Sequence, residues 1–145
     1  NNPKELFIDC YPHTILTPHE GEFKKIFGKE IDEINDRVLK TKEASIKSNT
    51  TVVLKGANTI IASPSGDVVI NKSSATYLAT AGSGDVLAGI ITSLVGKNKM
   101  NAFDAACAGV WLHSEIGTIL GAGMIAEDII DLIPVTVKKL LKMHQ

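Results

Sequence analysis

The chain has 145 residues, the size of one ordinary domain with a single core, so no second domain is needed. Its 15 Lys and Arg against 16 Asp and Glu leave a formal charge of -1, and neither sign gathers into a block. That argues against a nucleic-acid arm or an acidic tail and favours a small neutral or anionic ligand.

No apolar run reaches the roughly 18 residues of a membrane span, and no signal peptide opens the chain, so a soluble, cytoplasmic protein is expected. Asn1-Asn2, without an initiator Met, fits an excised fragment as well as a complete product. Cys10 and Cys107 have no partner at metal-ligand or CxxC spacing and read as buried, reduced thiols.

In chain order, the apolar runs Leu6 to Cys10 and Thr14 to Leu16 read as buried strand ends, and Thr17-Pro18 turns the chain. Apolar residues at helical spacing predict amphipathic helices from Glu20 to Phe27 and from Glu30 to about Ile46, the second closed by Asn49-Thr50. Thr51 to Lys55 is β-branched and apolar enough for a central strand. A tight turn at Gly56-Ala57-Asn58 follows. Thr59 to Ala62 and Val68 to Asn71 then flank Pro64-Ser65-Gly66-Asp67, a turn that pairs them as a hairpin. Beyond a glycine-rich loop, Val86 to Leu94 is apolar nearly all round and reads as a buried helix. Further helices are predicted from Ala102 to about Leu120, from Met124 to Ile133 and from Pro134 to Met143, with Pro134 at a first helical turn. Strand, helix, strand, hairpin and a run of helices make an α/β layered domain. The strands are few for the helices after Asp85, so the domain reads as incomplete.

Three segments carry chemistry. In Ala79-Thr80-Ala81-Gly82-Ser83-Gly84-Asp85, two glycines and a serine precede a helix, so backbone N–H groups can turn toward an anion at its positive end. A capping Asp85 on a flexible glycine turn is the plainer reading. Lys55-Gly56-Ala57-Asn58-Thr59 ends a strand in Lys-Gly and makes a second loop for ligand approach, or else an ordinary hairpin lead-in. His19, Glu20 and Glu22 stand at a strand-to-helix turn, the usual place for ligand residues in an open α/β sheet, although both carboxylates also suit a helix N-terminus.

Together the TPHxGE, VVLKGxxT, ATAGSGDVLAGII and GMIAxDI segments, from Thr14 to about Pro134, resemble the ADP- or ATP-dependent NAD(P)H-hydrate dehydratases of the ribokinase-like superfamily. The resemblance implies a ribokinase-like layered α/β fold, of which residues 1–145 are the C-terminal, nucleotide-binding portion, with a β-hairpin and packed C-terminal helices. It implies a lyase that uses a nucleotide to return hydrated NADH or NADPH to the intact cofactor. Carried over by motif, Lys55, Gly56, Ala57, Asn58, Thr59 and Gly84 contact the nucleotide, while His19 and Asp85 face the hydrated nicotinamide. Asp85 would be the base, and the Gly82, Ser83 and Gly84 amides would stabilise charge on phosphate oxygens. Mg²⁺ is expected with the ADP or ATP, although no carboxylate pair marks its site. A homo-oligomer, a tetramer, is implied as well.

Two departures accompany the resemblance. Family members carry a long segment before the TPH motif, holding further strands and part of the substrate pocket, and Asn58 is often Gly or His there; Asn also accepts left-handed backbone angles. Two other readings share the GSGD centre: a ribokinase-like kinase of a vitamin precursor, against which His19 and the LKG segment argue, and a catalytically inactive nucleotide-binding fragment.

Overall fold

The computed structural model describes residues 5, 7, 10, 13–72 and 76–143. The strand expected over residues 6–10 falls largely outside them. The elements in order are β1 (Ile15–Leu16), α1 (Glu20–Asp32), α2 (Arg37–Ser48), β2 (Thr51–Leu54), β3 (Thr59–Ala62), β4 (Val68–Asn71), a 3₁₀ turn (Thr76–Leu78), α3 (Ser83–Gly96), α4 (Ala102–Leu120) and α5 (Ala126–Met143).

The four strands form one sheet in chain order. β1 runs parallel to β2, with Ile15 opposite Thr51 and Leu16 opposite Val52. The β2–β3 and β3–β4 pairs are antiparallel. The tight turn at 63–67 closes the expected hairpin: the Ser63 amide donates to the Asp67 carbonyl at 2.9 Å, and the Asp67 carboxylate accepts from both Ser63 and Ser65 hydroxyls.

Successive residues of a strand point to opposite faces, and β2 uses both. Val53, with Ile61 of β3, packs on Leu87, Ile91, Ala105, Ala106 and Val110 of α3 and α4. Val52 and Leu54 pack on Phe23, Phe27, Ile31 and Ala44 of α1 and α2. All four β2 residues are buried, which their β-branched and apolar composition anticipates. A third cluster, Ile90, Leu112, Ile116, Met124 and Ile129, joins α3, α4 and α5 away from the sheet.

Four sequence expectations change. The first helix runs to Asp32 across a non-helical Gly28 (φ 75°), and the second begins only at Arg37, because Asp36 caps it by accepting from the Val38 and Leu39 amides. Asn49, in the left-handed region at φ 51°, ends that helix as expected. α3 is not buried all round: Leu87, Ile90 and Ile91 are buried, whereas Ala88, Gly89, Thr92 and Ser93 form an exposed face. Pro134 lies inside one continuous helix rather than opening a new one. The carbonyl that loses its donor there is that of Ile130, and Ile130 is exposed, so water can replace the missing bond. Cys10 and Cys107 are thiols as expected, but half-buried; burial, then the Asp104 charge, pushes Cys107 up to about 11. No described helix is long and apolar enough to cross a membrane.

The α3–α4 contact is close because α4 presents Gly109 there. A Cβ built on Gly109 would lie 2.6 Å from Cγ1 of Ile91, a buried β-branched side chain. Gly109→Ala should therefore cost about 1–3 kcal/mol despite the better helix propensity of alanine. Denaturant unfolding reads this directly, and a neutral or stabilising effect would mean the α3–α4 contact is looser than described.

Candidate functional site

The parallel pairing of β1 and β2 continues past the strands. The Lys55 amide donates to the Pro18 carbonyl at 2.9 Å, and His19 bridges Lys55. The turn that enters α1 and the turn that leaves β2 are thereby set side by side at the carboxyl ends of parallel strands, where open α/β sheets bind ligands. The N-terminus of α3 comes up against both. Between them lies a cavity of about 570 Å³, walled by His19, Lys55, Gly56, Ala57, Thr59, Ser83 and Gly84. Leu78, Leu87 and Val110 supply apolar wall, and His113 and Ser114 complete it.

Seven of the ten candidate residues thus meet at one cavity, drawn from segments far apart in sequence. Asn58, Gly82 and Asp85 are not among its lining residues. Asn58 is exposed on the turn, and its carbonyl accepts from Arg37 at 2.8 Å. Gly82 is the N-cap of α3 with φ 82°, a left-handed geometry that glycine adopts without strain. Asp85 stands exposed in the first turn of α3.

His19 caps α1. Its Nδ1 accepts from the Gly21 and Glu22 amides at 3.0 and 3.3 Å, while Glu22 accepts from the His19 amide at 2.8 Å, a reciprocal capping box. That amide bond, with lesser help from Lys55 and His19 charge, holds the Glu22 carboxyl below the usual range. Glu22 also approaches Lys55 Nζ at 3.9 Å. Glu20 does not serve the helix end alone: its carboxylate takes Arg37 Nε and Lys40 Nζ, each at 2.7 Å.

The N-terminus of α3 lacks such a side-chain cap. Its Ser83 amide reaches the Thr80 carbonyl at 3.3 Å, and the Asp85 and Val86 amides reach the Gly82 carbonyl at 3.0 and 3.1 Å. Thr80, Ser83 and Gly84 of this turn line the cavity. An anion seated here meets the positive helix end and Lys55, whose Nζ lies 3.2 Å from where a Gly84 Cβ would stand.

Ser83 is buried, and its hydroxyl turns inward to His113 Nε2 at 3.0 Å; the same nitrogen is 3.0 Å from the Ser83 carbonyl. Nothing in the GSGD segment announces this partner, 30 residues away. The available signal was a lone imidazole in an apolar helix. Burial pushes His113 below its ordinary pKa, opposed by the Ser83 carbonyl and reinforced by the Lys55 charge, so the ring is neutral near neutrality. Because the folded value lies below the unfolded 6.5, the unfolded chain binds the proton more readily in that window. The contribution is full above the unfolded value and is lost as pH falls toward the folded one. The urea midpoint should fall between about pH 7 and pH 5, and His113→Gln should flatten that fall. Identical pH dependence in parent and variant would exclude His113 as the titrating group.

The described residues contain no group of three His, Cys, Asp or Glu side chains placed to hold a metal ion. Mg²⁺ ordinarily keeps water and phosphate oxygens as ligands, so it needs no such cage of side chains.

A layered α/β domain that turns a glycine-rich helix N-terminus and a Lys-Gly turn into one cavity at strand carboxyl ends has the geometry in which such folds take anionic ligands. The family model for NAD(P)H-hydrate dehydratase matches residues 3–134, and the chain belongs to that family. The ADP-dependent (S)-NAD(P)H-hydrate dehydratase of Neisseria meningitidis serogroup B is 40% identical over 122 residues, covering 79% of this chain and 41% of that protein. The bifunctional NAD(P)H-hydrate repair enzyme Nnr of Gloeobacter violaceus is 42% identical over 109 residues, 75% of this chain and 21% of its own length. A crystal structure of the ADP/ATP-dependent NAD(P)H-hydrate dehydratase from Bacillus subtilis, co-crystallized with ATP/Mg²⁺ and soaked with CoA, superposes with a TM-score of 0.78 at 32% identity. The match covers 86% of this chain and 48% of that one. The chain thus spans less than half the length of these relatives, and the layered fold expected from sequence is the fold they share.

Proposed function

We propose that this chain is the C-terminal, nucleotide-binding portion of an ADP- or ATP-dependent enzyme that dehydrates hydrated NADH or NADPH. The observation that carries the reading is the convergence of the Lys55 turn, the uncapped α3 N-terminus and His19 on one cavity. The nucleotide phosphates lie against Gly84 and the Lys55 ammonium, with Gly56, Ala57, Asn58 and Thr59 along the nucleotide. Ser83 shapes the loop rather than binding the phosphates, since its hydroxyl meets His113 and its amide donates to the Thr80 carbonyl. The hydrated nicotinamide lies toward His19 and Asp85.

Asp85 takes the proton of the substrate hydroxyl as its oxygen attacks the terminal phosphoryl group, and the bond to the AMP or ADP leaving group breaks. The Gly84 amide and the positive end of α3 meet the charge on the phosphoryl oxygens. Carbon–oxygen cleavage then releases phosphate, and loss of a proton from the neighbouring ring carbon to water restores the ring double bond. Mg²⁺, when bound with the nucleotide, neutralises phosphate charge. Cytoplasmic location and homo-oligomeric assembly accompany the reading by family resemblance. A kinase of a vitamin precursor would use the same centre; conversion of hydrated NADH to NADH with ADP or ATP separates the two.

The phosphate position has a direct test. Gly84→Ala places a methyl carbon 3.2 Å from Lys55 Nζ, so the ammonium must give by a few tenths of an ångström while the methyl narrows backbone approach where the phosphate would sit. Titration calorimetry should show ADP binding weakened by about tenfold or more, given that a charge-assisted contact to phosphate contributes on the order of 1.5–3 kcal/mol. Equal dissociation constants would place the phosphate elsewhere.

A further inference from the structure

We propose that Arg37 is a positioning residue of the nucleotide site, its guanidinium locking the Lys55–Asn58 turn to the His19–Glu20 turn so that both face the cavity as one unit. The proposal rests on the nucleotide reading given above.

Arg37 opens α2 and touches three acceptors from two other segments. Nε donates to Glu20 Oε1 at 2.7 Å, Nη1 to the Asn58 carbonyl at 2.8 Å and Nη2 to the Lys55 carbonyl at 3.4 Å. The two carbonyls bracket the turn, one at each end, and Glu20 directly follows His19. A guanidinium presents its donors in a rigid plane and can hold three acceptors in fixed relation, whereas an ammonium is a point charge that cannot.

The anchor for this fork is itself held. Lys40, only 7% exposed, donates to the other Glu20 oxygen at 2.7 Å and lies 3.8 Å from Asp32. Burial raises the Glu20 carboxyl, but the hydrogen bonds and charges of Lys40 and Arg37 outweigh it and hold the group below the usual range, so it stays ionised. Packing at the turn agrees. A Cβ built on Gly56 would lie 2.7 Å from Arg37 Nη2, so glycine leaves the room the guanidinium occupies.

An exposed ion pair alone adds little to stability. What sets Arg37 apart is that two of its three bonds end on main-chain carbonyls of a turn that walls the cavity. Fixing the turn before ligand arrives removes part of the ordering cost of binding. Losing the fork should therefore weaken ligand affinity while the fold persists.

Backbone ¹⁵N relaxation and ADP titration on the 145-residue chain test this, with Arg37→Lys retaining charge but not the fork. Order parameters at Gly56, Ala57 and Asn58 should fall below about 0.6, the flexible range, while those of β2 and β3 stay unchanged. The ADP dissociation constant should rise about tenfold. Gly56→Ala, which displaces the guanidinium without removing it, should loosen Asn58 likewise and add nothing further in the Arg37→Lys background; it carries the test should Arg37→Lys fail to fold. An unchanged turn in these variants overturns the proposal, as does a loosened turn with unchanged ADP affinity. A parent chain that binds no ADP would sink the nucleotide reading instead, and the relaxation data alone would then decide whether Arg37 holds the turn.

Discussion

Asp85→Asn is expected to leave nucleotide affinity within a few-fold and to cut turnover by about 10²-fold or more, the usual loss when a general base is removed. The variant is isosteric and remains in the first turn of α3, so the helix start and its Gly82 cap are kept. It loses some favourable charge at the positive helix end, a modest effect for an exposed residue. It also loses the one carboxylate on the glycine loop able to accept the substrate proton. The measurement is hydrated-cofactor turnover in a full-length context of the length its relatives have, and ADP affinity by calorimetry on the same sample. Asp85 is exposed and outside the cavity lining, so the expected result requires the reacting hydroxyl to come to it from the open side. Unchanged turnover would return Asp85 to a helix-start residue and nothing more.

The elements legible in the sequence were those specified by local chemistry. The hairpin at 59–71 follows from β-branched runs flanking Pro64-Ser65-Gly66-Asp67, and β2 from an unbroken apolar run buried on both faces. Boundaries were less legible where two local rules compete. Asp36 is as good an N-cap as any, yet the apolar spacing from Ile31 to Val38 runs straight across it. Pro134 reads as a helix start, but a proline whose missing bond falls on the solvent side is tolerated within a helix. In the site, the ligand-facing segments were legible as motifs because glycines and a strand-end lysine mark them. The contacts that hold those segments were not. Ser83 meets His113 across 30 residues, and Arg37 meets the turn across 18 and 21. Pairs at that separation leave no local periodicity, and only the packing of helices on one another and on the sheet brings them together.

The isolated chain should show little or no dehydratase activity on hydrated NADH, while its Lys55 and Gly84 loops still bind adenine nucleotide weakly. The reason lies in the sheet. Among the described strands β1 pairs only with β2, and no described strand lies along its other side. A strand with a parallel partner on one side ordinarily lies inside a sheet covered on both faces. Beside that edge, α3 exposes Ala88, Gly89, Thr92 and Ser93, a face of small side chains that another element could approach closely. The large exposed apolar side chains are elsewhere, Ile119 on α4 and Ile130, Val135 and Leu141 on α5, each more than half exposed. Apolar surface of that kind favours association or aggregation. If the source genome encodes the further part of the fold that the longer relatives carry, supplying it as a second chain should raise solubility and activity together. Recovery of NADH absorbance from the hydrated cofactor with ADP or ATP is the readout, with and without the added portion. Full activity of the 145-residue chain by itself would show that its sheet and its site are already sufficient.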